Sequence, residues 1–458
     1  MNTDTLLESV FALPLNRNLL KCFFGLFAGR AVFKKRVAES CVLDPALLPY
    51  NHRLLAYLRQ QHAEGREIIL ATAADILTAR RVADHLQIFT DVIASDGGEN
   101  LKGRAKARIL SMRFGEKRFA YVGNSRADLP VWQAASAALI VNAPRQVATI
   151  ARKLTSVETV IDDRPSRLIA IFRAMRPHQW IKNILVFVPI VTAHATADVK
   201  GLLNTLIAFF AFCATASGIY LINDISDLAT DRRHPRKCKR PFASGAAPLH
   251  AGAVLAALLL CAGLFLGRTS HVLLIVAIYA ALSVTYSAKL RKLPVVDVFV
   301  LATLYGTRLF GGGLASGHAV SLWLLAFASF LFLSLALVKR VAELKAFGGM
   351  ESNVAGRGYH SGDVALLQMF GCCSAVAAGM VLALFVQNEA ATNRYASPGL
   401  LWCLVPLILF WQFNLWFATS RGQMHDDPIT YAAGDWVTWL VGAMSLAVLI
   451  AAKSVIPR

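Results

Sequence analysis

From residue 181 onward, apolar runs of sixteen to twenty-three residues follow one another at 181–196, 201–222, 252–267, 272–287, 295–312, 319–338, 365–387, 399–418 and 434–452. Each is close to the ~20 residues an α-helix needs to cross the hydrocarbon of a bilayer, so the pattern predicts nine membrane helices. Pro189 and His194 interrupt the first run. Before residue 165 the rhythm is different: helical periodicity alternates with the short apolar segments "EIILATA" (67–73), "DVIAS" (91–95), "RFAYVG" (118–123), "AALIVN" (137–142) and "VETVI" (157–161). Such alternation predicts a parallel sheet with helices on both faces, a Rossmann-like α/β domain. Between the two regions, "RPSRLIAIFRAMRP" (164–177) sets Leu168, Phe172 and Met175 on one helical face with arginines around the rest. A helix lying in the membrane interface has this pattern, and so does a linker helix packed on protein. The predicted organisation is an α/β domain over 1–163, an interfacial helix over 164–180 and an all-α membrane domain over 181–458.

Charge orients this arrangement. The 458 residues carry a net charge of +19. Residues 1–165 hold 23 Lys/Arg against 16 Asp/Glu, and the rest hold 24 against 12. The bases sit beside apolar spans, where the positive-inside rule and anionic headgroups account for them, so nucleic acid is not the expected partner. With residue 176 in the cytosol, the inward loops of the nine-helix scheme hold fourteen Lys/Arg and the outward loops only Lys200, Arg268 and Arg394. That asymmetry places the α/β domain in the cytosol of an integral membrane protein, expected in a bacterial inner membrane. The eight cysteines form no CxxC pair and several fall in apolar runs, which fits reduced thiols. Asp4, Glu8 and Pro14 interrupt the first twenty residues, so no cleaved signal peptide is expected.

The candidate chemistry lies where the second run ends, in "NDISDLATDRRHPRKCKRP" (223–241). If the helix continues outward, Asn223, Asp227 and Asp231 recur every fourth residue and Asp224 lies three before Asp227, so all four share one side. Carboxylates that close repel unless a cation sits among them, and Mg²⁺ suits hard oxygen donors shared with phosphate. The six bases that follow, Arg233, Lys239 and Arg240 among them, can neutralise the remaining phosphate charge. A solvated, positive-inside loop would explain the bases but not the spaced acids.

"NDISDLATD" resembles the NDxxDxxxD signature of the intramembrane prenyltransferase superfamily that includes the 4-hydroxybenzoate polyprenyltransferases. Together with "RPHQWIKNILVF" (176–187), "YSAKLRKLPVVD" (286–297), "KRVAEL" (339–344) and "GRGY" (356–359), it is similar to the branch of decaprenyl-phosphate phosphoribosyltransferases. The resemblance implies Mg²⁺ on Asp224, Asp227 and Asp231, with phosphoribosyl diphosphate as donor and a polyprenyl phosphate as acceptor. It also implies substrate contacts from Asn223, Lys182, Asn183, Arg233, Lys239, Arg240, Tyr286, Lys289, Arg291, Asp297, Arg340, Arg357 and Tyr359. In the aromatic prenyltransferases a second DxxxD motif holds another Mg²⁺, whereas here Leu301 stands four residues after Asp297. Tyr286, Lys289, Arg291 and Lys292 stand near it as direct phosphate donors, although the three bases also read as a topological anchor. Arg340 with Glu343, and Arg357 with Tyr359, read equally as loop anchors, and Asp426, Asp427 and Asp435 as helix N-caps. Two alternatives remain open: an aromatic polyprenyltransferase using an allylic diphosphate, and a non-enzymatic lipid-binding or transport protein, whose ion sites would be expected nearer the bilayer midplane.

In the N-terminal region Thr72, Lys102 and "GNSRADLPVW" (123–132) resemble the haloacid-dehalogenase-like phosphatases. The resemblance implies that Thr72 and Lys102 bind phosphate and that the acids of the last motif hold Mg²⁺. Here Asp128 is present, Asn124 replaces an acid, and the DxDGT nucleophile motif is absent. In that family the DxDGT strand lies centrally, so its loss implies two inner strands without a partner. No phosphatase activity is expected, and a docking or phosphate-binding module is the reading adopted.

Overall fold

The computed structural model describes residues 5–12, 30–40, 43–96, 100–346, 358–388, 395–424 and 427–454. The chain divides into two compact units, Met1–Ala174 with Leu221–Val254, and Met175–Tyr220 with Leu255–Arg458.

The first unit contains helices α1 (Thr5–Ala12), α2 (Arg30–Ser40), α3 (His52–Ala63), α4 (Ile76–Leu86), α5 (Arg104–Phe114), α6 (Leu129–Ala134), α7 (Arg145–Leu154) and α8 (Arg167–Ala174). All five expected strands form: β1 (Ile69–Asp75), β2 (Asp91–Ser95), β3 (Ala120–Gly123), β4 (Ala137–Val141) and β5 (Ser156–Ile161). Every strand pair is parallel. The strands nevertheless make two sheets, one of β1 and β2 and one in the order β3-β4-β5. Ala138 to Val141 of β4 are all buried, as expected of a central parallel strand covered on both faces. β5 alternates exposed and half-buried positions.

Local signals start and stop the helices. The Asp75 carboxylate accepts the Leu77 amide at 2.9 Å and caps α4. Gly115, at φ +88°, ends α5 in a conformation that only glycine adopts easily. The core of this unit forms around Val131, Trp132, Ala135, Ala138 and Ile140, all at most 1% exposed. Gly123 is required beside it, since a Cβ there would lie 2.8 Å from both Trp132 and Asp128. On α8, Leu168 and Phe172 are exposed while Met175 is half-buried and lies beyond the helix end.

The remaining helices are α9 (Val188–Thr192), α10 (Val199–Ser226), α11 (Leu228–Arg233), α12 (Leu249–Thr269), α13 (Leu273–Ala288), α14 (Val296–Ser316), α15 (Leu322–Ala346), α16 (Val364–Gln387), α17 (Leu404–Ser420), α18 (Pro428–Gly434) and α19 (Trp436–Ser454). Among the described residues seven helices, not nine, are long and apolar enough to cross a membrane. The run at 181–196 is instead an eleven-residue 3₁₀ stretch, Pro177–Phe187, followed by the five-residue α9. Proline has no amide to donate, which keeps Pro189 within the first turn of a helix and divides the run there. The sixteen residues of α13 reach about 24 Å, short of a full span.

The second unit packs around Leu309, Phe332, Leu335, Val338, Val341 and Leu415. A buried polar tie joins three of its helices. Trp416 on α17 donates to the Ser334 hydroxyl on α15 at 3.0 Å, and Ser334 donates to the Gly371 carbonyl on α16 at 2.9 Å. A Cβ on Gly371 would fall 1.9 Å from the Trp416 ring. We therefore expect Gly371→Leu to lower the thermal midpoint of the detergent-solubilised protein by an amount equivalent to about 1–3 kcal/mol, the usual effect of overpacking. An unchanged midpoint would contradict this packing.

Candidate functional site

The aspartate-rich segment begins inside α10 and continues through α11. Asp227 joins them at φ −88°, ψ 10°. The helical ladder is kept across the junction, because the Asp227 amide donates to the Asn223 carbonyl and the Asp231 amide to the Asp227 carbonyl, each at 2.8 Å. The one-in-four recurrence expected for these residues therefore survives the break. Asp224 and Asp231 are buried, 3% and 2% exposed, and Asp227 is half-buried.

Burying two carboxylates demands a cation, and Arg240 supplies it. One of its guanidinium nitrogens donates to Asp224 at 3.1 Å and to Asp231 at 2.6 Å. Arg240, expected from the sequence to donate to phosphate, thus binds the aspartates themselves. Arg233 is exposed and 3.6 Å from Asp44, and Lys239 is exposed. Among the described residues no group of three or more His, Cys, Asp or Glu side chains stands close enough to hold a metal ion. The donor set still suits Mg²⁺, since two hard carboxylates already converge on a single cationic atom. The neighbouring Arg232 is clamped by Glu8 of α1 at 2.7 and 2.9 Å, a partner the sequence reading did not anticipate.

The second unit holds two further buried ion networks. In the first, Asp297 is fully buried, forms an ion pair with Arg340 at 2.5 Å and accepts from the Tyr359 hydroxyl at 2.5 Å. Arg340 also pairs with Glu343 and donates to the Tyr286 hydroxyl at 3.3 Å. Tyr359 accepts in turn from the Val295 amide at 2.7 Å. Burial first, and then the bond to Asp297, pushes the Tyr359 phenol well above its ordinary pKa. Four residues singled out from sequence, Tyr286, Asp297, Arg340 and Tyr359, are therefore brought together, but as partners of one another. Lys289 is exposed at the end of α13 and Arg291 is half-buried. Arg357 and Asp426 lie outside the described residues.

The second network starts at Lys182 and Asn183. Lys182 meets Asp427 at 2.7 Å, and Lys339 reaches the same carboxylate at 3.1 Å. Burial alone would raise the Asp427 carboxyl, but the two ammonium groups override it and hold it below the usual carboxylate range. Asp427 also accepts the Ile429 amide at 3.3 Å at the start of α18, the capping role read from sequence. Asn183 accepts from Arg308 at 2.7 Å, and Arg308 donates to the Tyr279 hydroxyl at 3.0 Å. Arg308 belongs to none of the motifs, although a lone base inside the apolar run 295–312 is itself a signal of a buried polar site.

In the first unit Thr72, Lys102, Asn124 and Asp128 all line one cavity of about 1260 Å³. The Asp128 carboxylate holds its own turn, accepting from the amides of Asn124 and Ser125 at 3.1 and 3.0 Å and from the hydroxyls of Ser125 and Tyr121 at 2.8 and 3.1 Å. The Thr72 hydroxyl accepts the Ala74 amide at 3.1 Å. Lys106, not singled out from sequence, is buried and donates to the Tyr121 hydroxyl at 2.8 Å and to the Ala71 carbonyl at 3.3 Å.

Removing Asp427 would strand the buried Lys182 ammonium and the half-buried Lys339 beside it, and uncap α18. We expect Asp427→Ala to destabilise the protein by about 3–5 kcal/mol, as when one partner of a buried pair is lost, and Lys339→Met in the same chain to restore part of that. Thermal unfolding in detergent checks both changes.

Residues 184–428 match the family described as the UbiA prenyltransferase family. A protein of Sinorhizobium fredii described as "Uncharacterized protein y4nM" is 33% identical over 454 residues, 98% of this chain and 87% of that protein. Nodulation protein NoeC of Azorhizobium caulinodans is 36% identical over 265 residues, 57% of this chain and 86% of that protein. Decaprenyl-phosphate phosphoribosyltransferase of Corynebacterium glutamicum is 35% identical over 198 residues, 42% of this chain and 60% of that enzyme. The chain thus spans less than two thirds of that phosphoribosyltransferase. With the family match covering residues 184–428, more than half of the chain, and running through the aspartate-rich segment, the chain belongs to the UbiA prenyltransferase family.

Proposed function

We propose that the protein is a magnesium-dependent transferase that moves 5-phosphoribose from phosphoribosyl diphosphate to a polyprenyl phosphate. The observation that carries this reading is the state of Asp297. It is the only acid where the aromatic enzymes have a second pair, Leu301 stands four residues on, and its carboxylate is paired with Arg340 and accepts from the Tyr359 hydroxyl. An acid so committed offers little to a second metal, which favours a leaving group held by one metal and by bases. The similarity to decaprenyl-phosphate phosphoribosyltransferase supports the same choice.

In this reading Asp224, Asp227 and Asp231 hold Mg²⁺, with Asn223 beside them. The ion, when bound, neutralises the diphosphate as it departs. Arg240, which now pairs with Asp224 and Asp231, would donate to phosphate oxygens of the bound diphosphate, and Arg233 and Lys239, exposed as they are, would reach the same anion. A phosphate oxygen of the lipid attacks the ribose C1 as the bond from C1 to the diphosphate oxygen breaks, and diphosphate leaves with the bonding pair. That oxygen is already ionised near neutral pH, so no general base is needed. Positioning and charge neutralisation carry the rate. Lys182 and Asn183, with Tyr286, Lys289, Arg291, Arg340, Arg357 and Tyr359, are assigned to the sugar phosphate and the lipid phosphate. Thr72 and Lys102 make the first unit a phosphate-binding or docking module of haloacid-dehalogenase-like ancestry, cytosolic by the positive-inside rule.

Membranes containing the protein, incubated with labelled phosphoribosyl diphosphate and polyprenyl phosphate, are expected to yield labelled lipid. A parallel incubation with an allylic diphosphate and 4-hydroxybenzoate is expected to yield none. Asp227→Ala should reduce transfer at least a hundredfold without changing the thermal midpoint, and chelation of divalent ions should do the same. Label appearing only in a prenylated ring would replace this reading with aromatic prenyl transfer, and full activity of Asp227→Ala would remove the metal assignment.

A further inference from the structure

α11 (Leu228–Arg233) carries Asp231 and is six residues long. A helix that short is not stable by itself, because nucleating it costs more than so few hydrogen bonds return. At its start it continues the ladder of α10, with the Asp231 amide on the Asp227 carbonyl at 2.8 Å. Its far end is held by a side chain, that of Arg232. The Arg232 Nε donates to the Ala243 carbonyl at 3.0 Å, and its two terminal nitrogens donate to the two carboxylate oxygens of Glu8 at 2.9 and 2.7 Å. Both side chains are withdrawn from water, 8% exposed for Arg232 and 0% for Glu8. Glu8, Asp231, Arg232, Arg240 and Ala243 all belong to the first unit.

The bond to Ala243 closes a loop around the aspartates. The turn after Arg240 is firm: the Ser244 amide and hydroxyl both donate to the Arg240 carbonyl at 2.9 Å, and Phe242 and Ala243 are buried. Arg232 pins that turn to the helix bearing Asp231, and across the loop Arg240 meets Asp231 at 2.6 Å. The planar guanidinium divides its donors between the two tasks, Nε for Ala243 and the terminal nitrogens for Glu8. Without the carboxylate the buried charge of Arg232 would stand uncompensated, and its long side chain would turn toward water and give up Ala243.

We propose that Glu8 is a positioning residue for the aspartate-rich site: acting through Arg232, it holds Asp231 and the Arg240 turn in the arrangement that binds a metal-bound diphosphate. Glu8 lies in α1, outside the residues 184–428 that match the family, so this support comes to the family's own motif from the N-terminal part of the chain. The inference rests on the reading of the aspartates as a magnesium and diphosphate site. It gives neither Glu8 nor Arg232 a contact with substrate.

Binding of radiolabelled inorganic diphosphate to the full chain in lipid nanodiscs, with and without Mg²⁺ and well below each variant's own thermal midpoint, tests both levels. The native protein is expected to bind diphosphate only with Mg²⁺ present; no binding, or binding indifferent to Mg²⁺, would remove the underlying reading and this inference with it. Given native binding, Glu8→Gln is expected to weaken it about tenfold or more, the usual result of losing a group that orients a metal ligand. Native affinity in Glu8→Gln would overturn the proposal while leaving the metal site standing. Tighter binding would overturn it as well, by showing that Glu8 withholds Arg232 from the anion. Glu8→Met/Arg232→Met separates positioning from stability, because it replaces the buried charges with apolar side chains and keeps the fold without the bond to Ala243. This double variant is expected to bind as weakly as Glu8→Gln, and native affinity in it would reduce the pair to a stabilising contact and overturn the proposal.

Discussion

The cost of taking charge out of water governs this protein. More than half of its residues are hydrophobic, 56%, and an ionised side chain inside such a chain is tolerated only with an opposite charge or a set of hydrogen-bond partners against it. The four most conspicuous buried clusters obey this rule: Asp224 and Asp231 on Arg240, Glu8 on Arg232, Asp297 on Arg340, and Asp427 on Lys182 and Lys339. Partners that neutralise one another when no ligand is bound can be redistributed when one arrives, so a charged site stays folded in an apolar setting.

Much of the fold was legible because periodicity reports burial directly. The five strands form within a few residues of their expected positions, and β4 is the plainest case, since a strand covered on both faces must be apolar throughout. The helix count was not legible to the same degree. Window hydropathy treats residues 181–196 as it treats 201–222, yet proline divides the former into a 3₁₀ stretch and one short helix. Nor can a one-dimensional pattern say whether parallel strands share one sheet, because pairing depends on a neighbour that the strand's own sequence does not encode.

For the candidate site, the spacing of Asp224, Asp227 and Asp231 was visible because four-residue recurrence survives the break at Asp227. What spacing could not reveal is which base each acid holds. Arg240 lies nine residues after Asp231, Arg340 lies forty-three after Asp297, and Glu8 reaches Arg232 from the start of the chain. Asp427 read as a helix cap and is one, but the two lysines on the same carboxylate come from distant segments. Arg308 was discoverable, since a single charge within an apolar helix needs a reason and here finds it in Asn183 and Tyr279.

In the proposed reaction the aspartates at 224–231 release an arginine and take up a metal-bound diphosphate. Electron paramagnetic resonance of Mn²⁺ added with inorganic diphosphate to the full protein in nanodiscs tests it most directly. The account predicts bound Mn²⁺ that depends on diphosphate and weakens at least tenfold in the Asp224→Asn/Asp231→Asn protein. Equal Mn²⁺ binding by the native and doubly substituted proteins would contradict it.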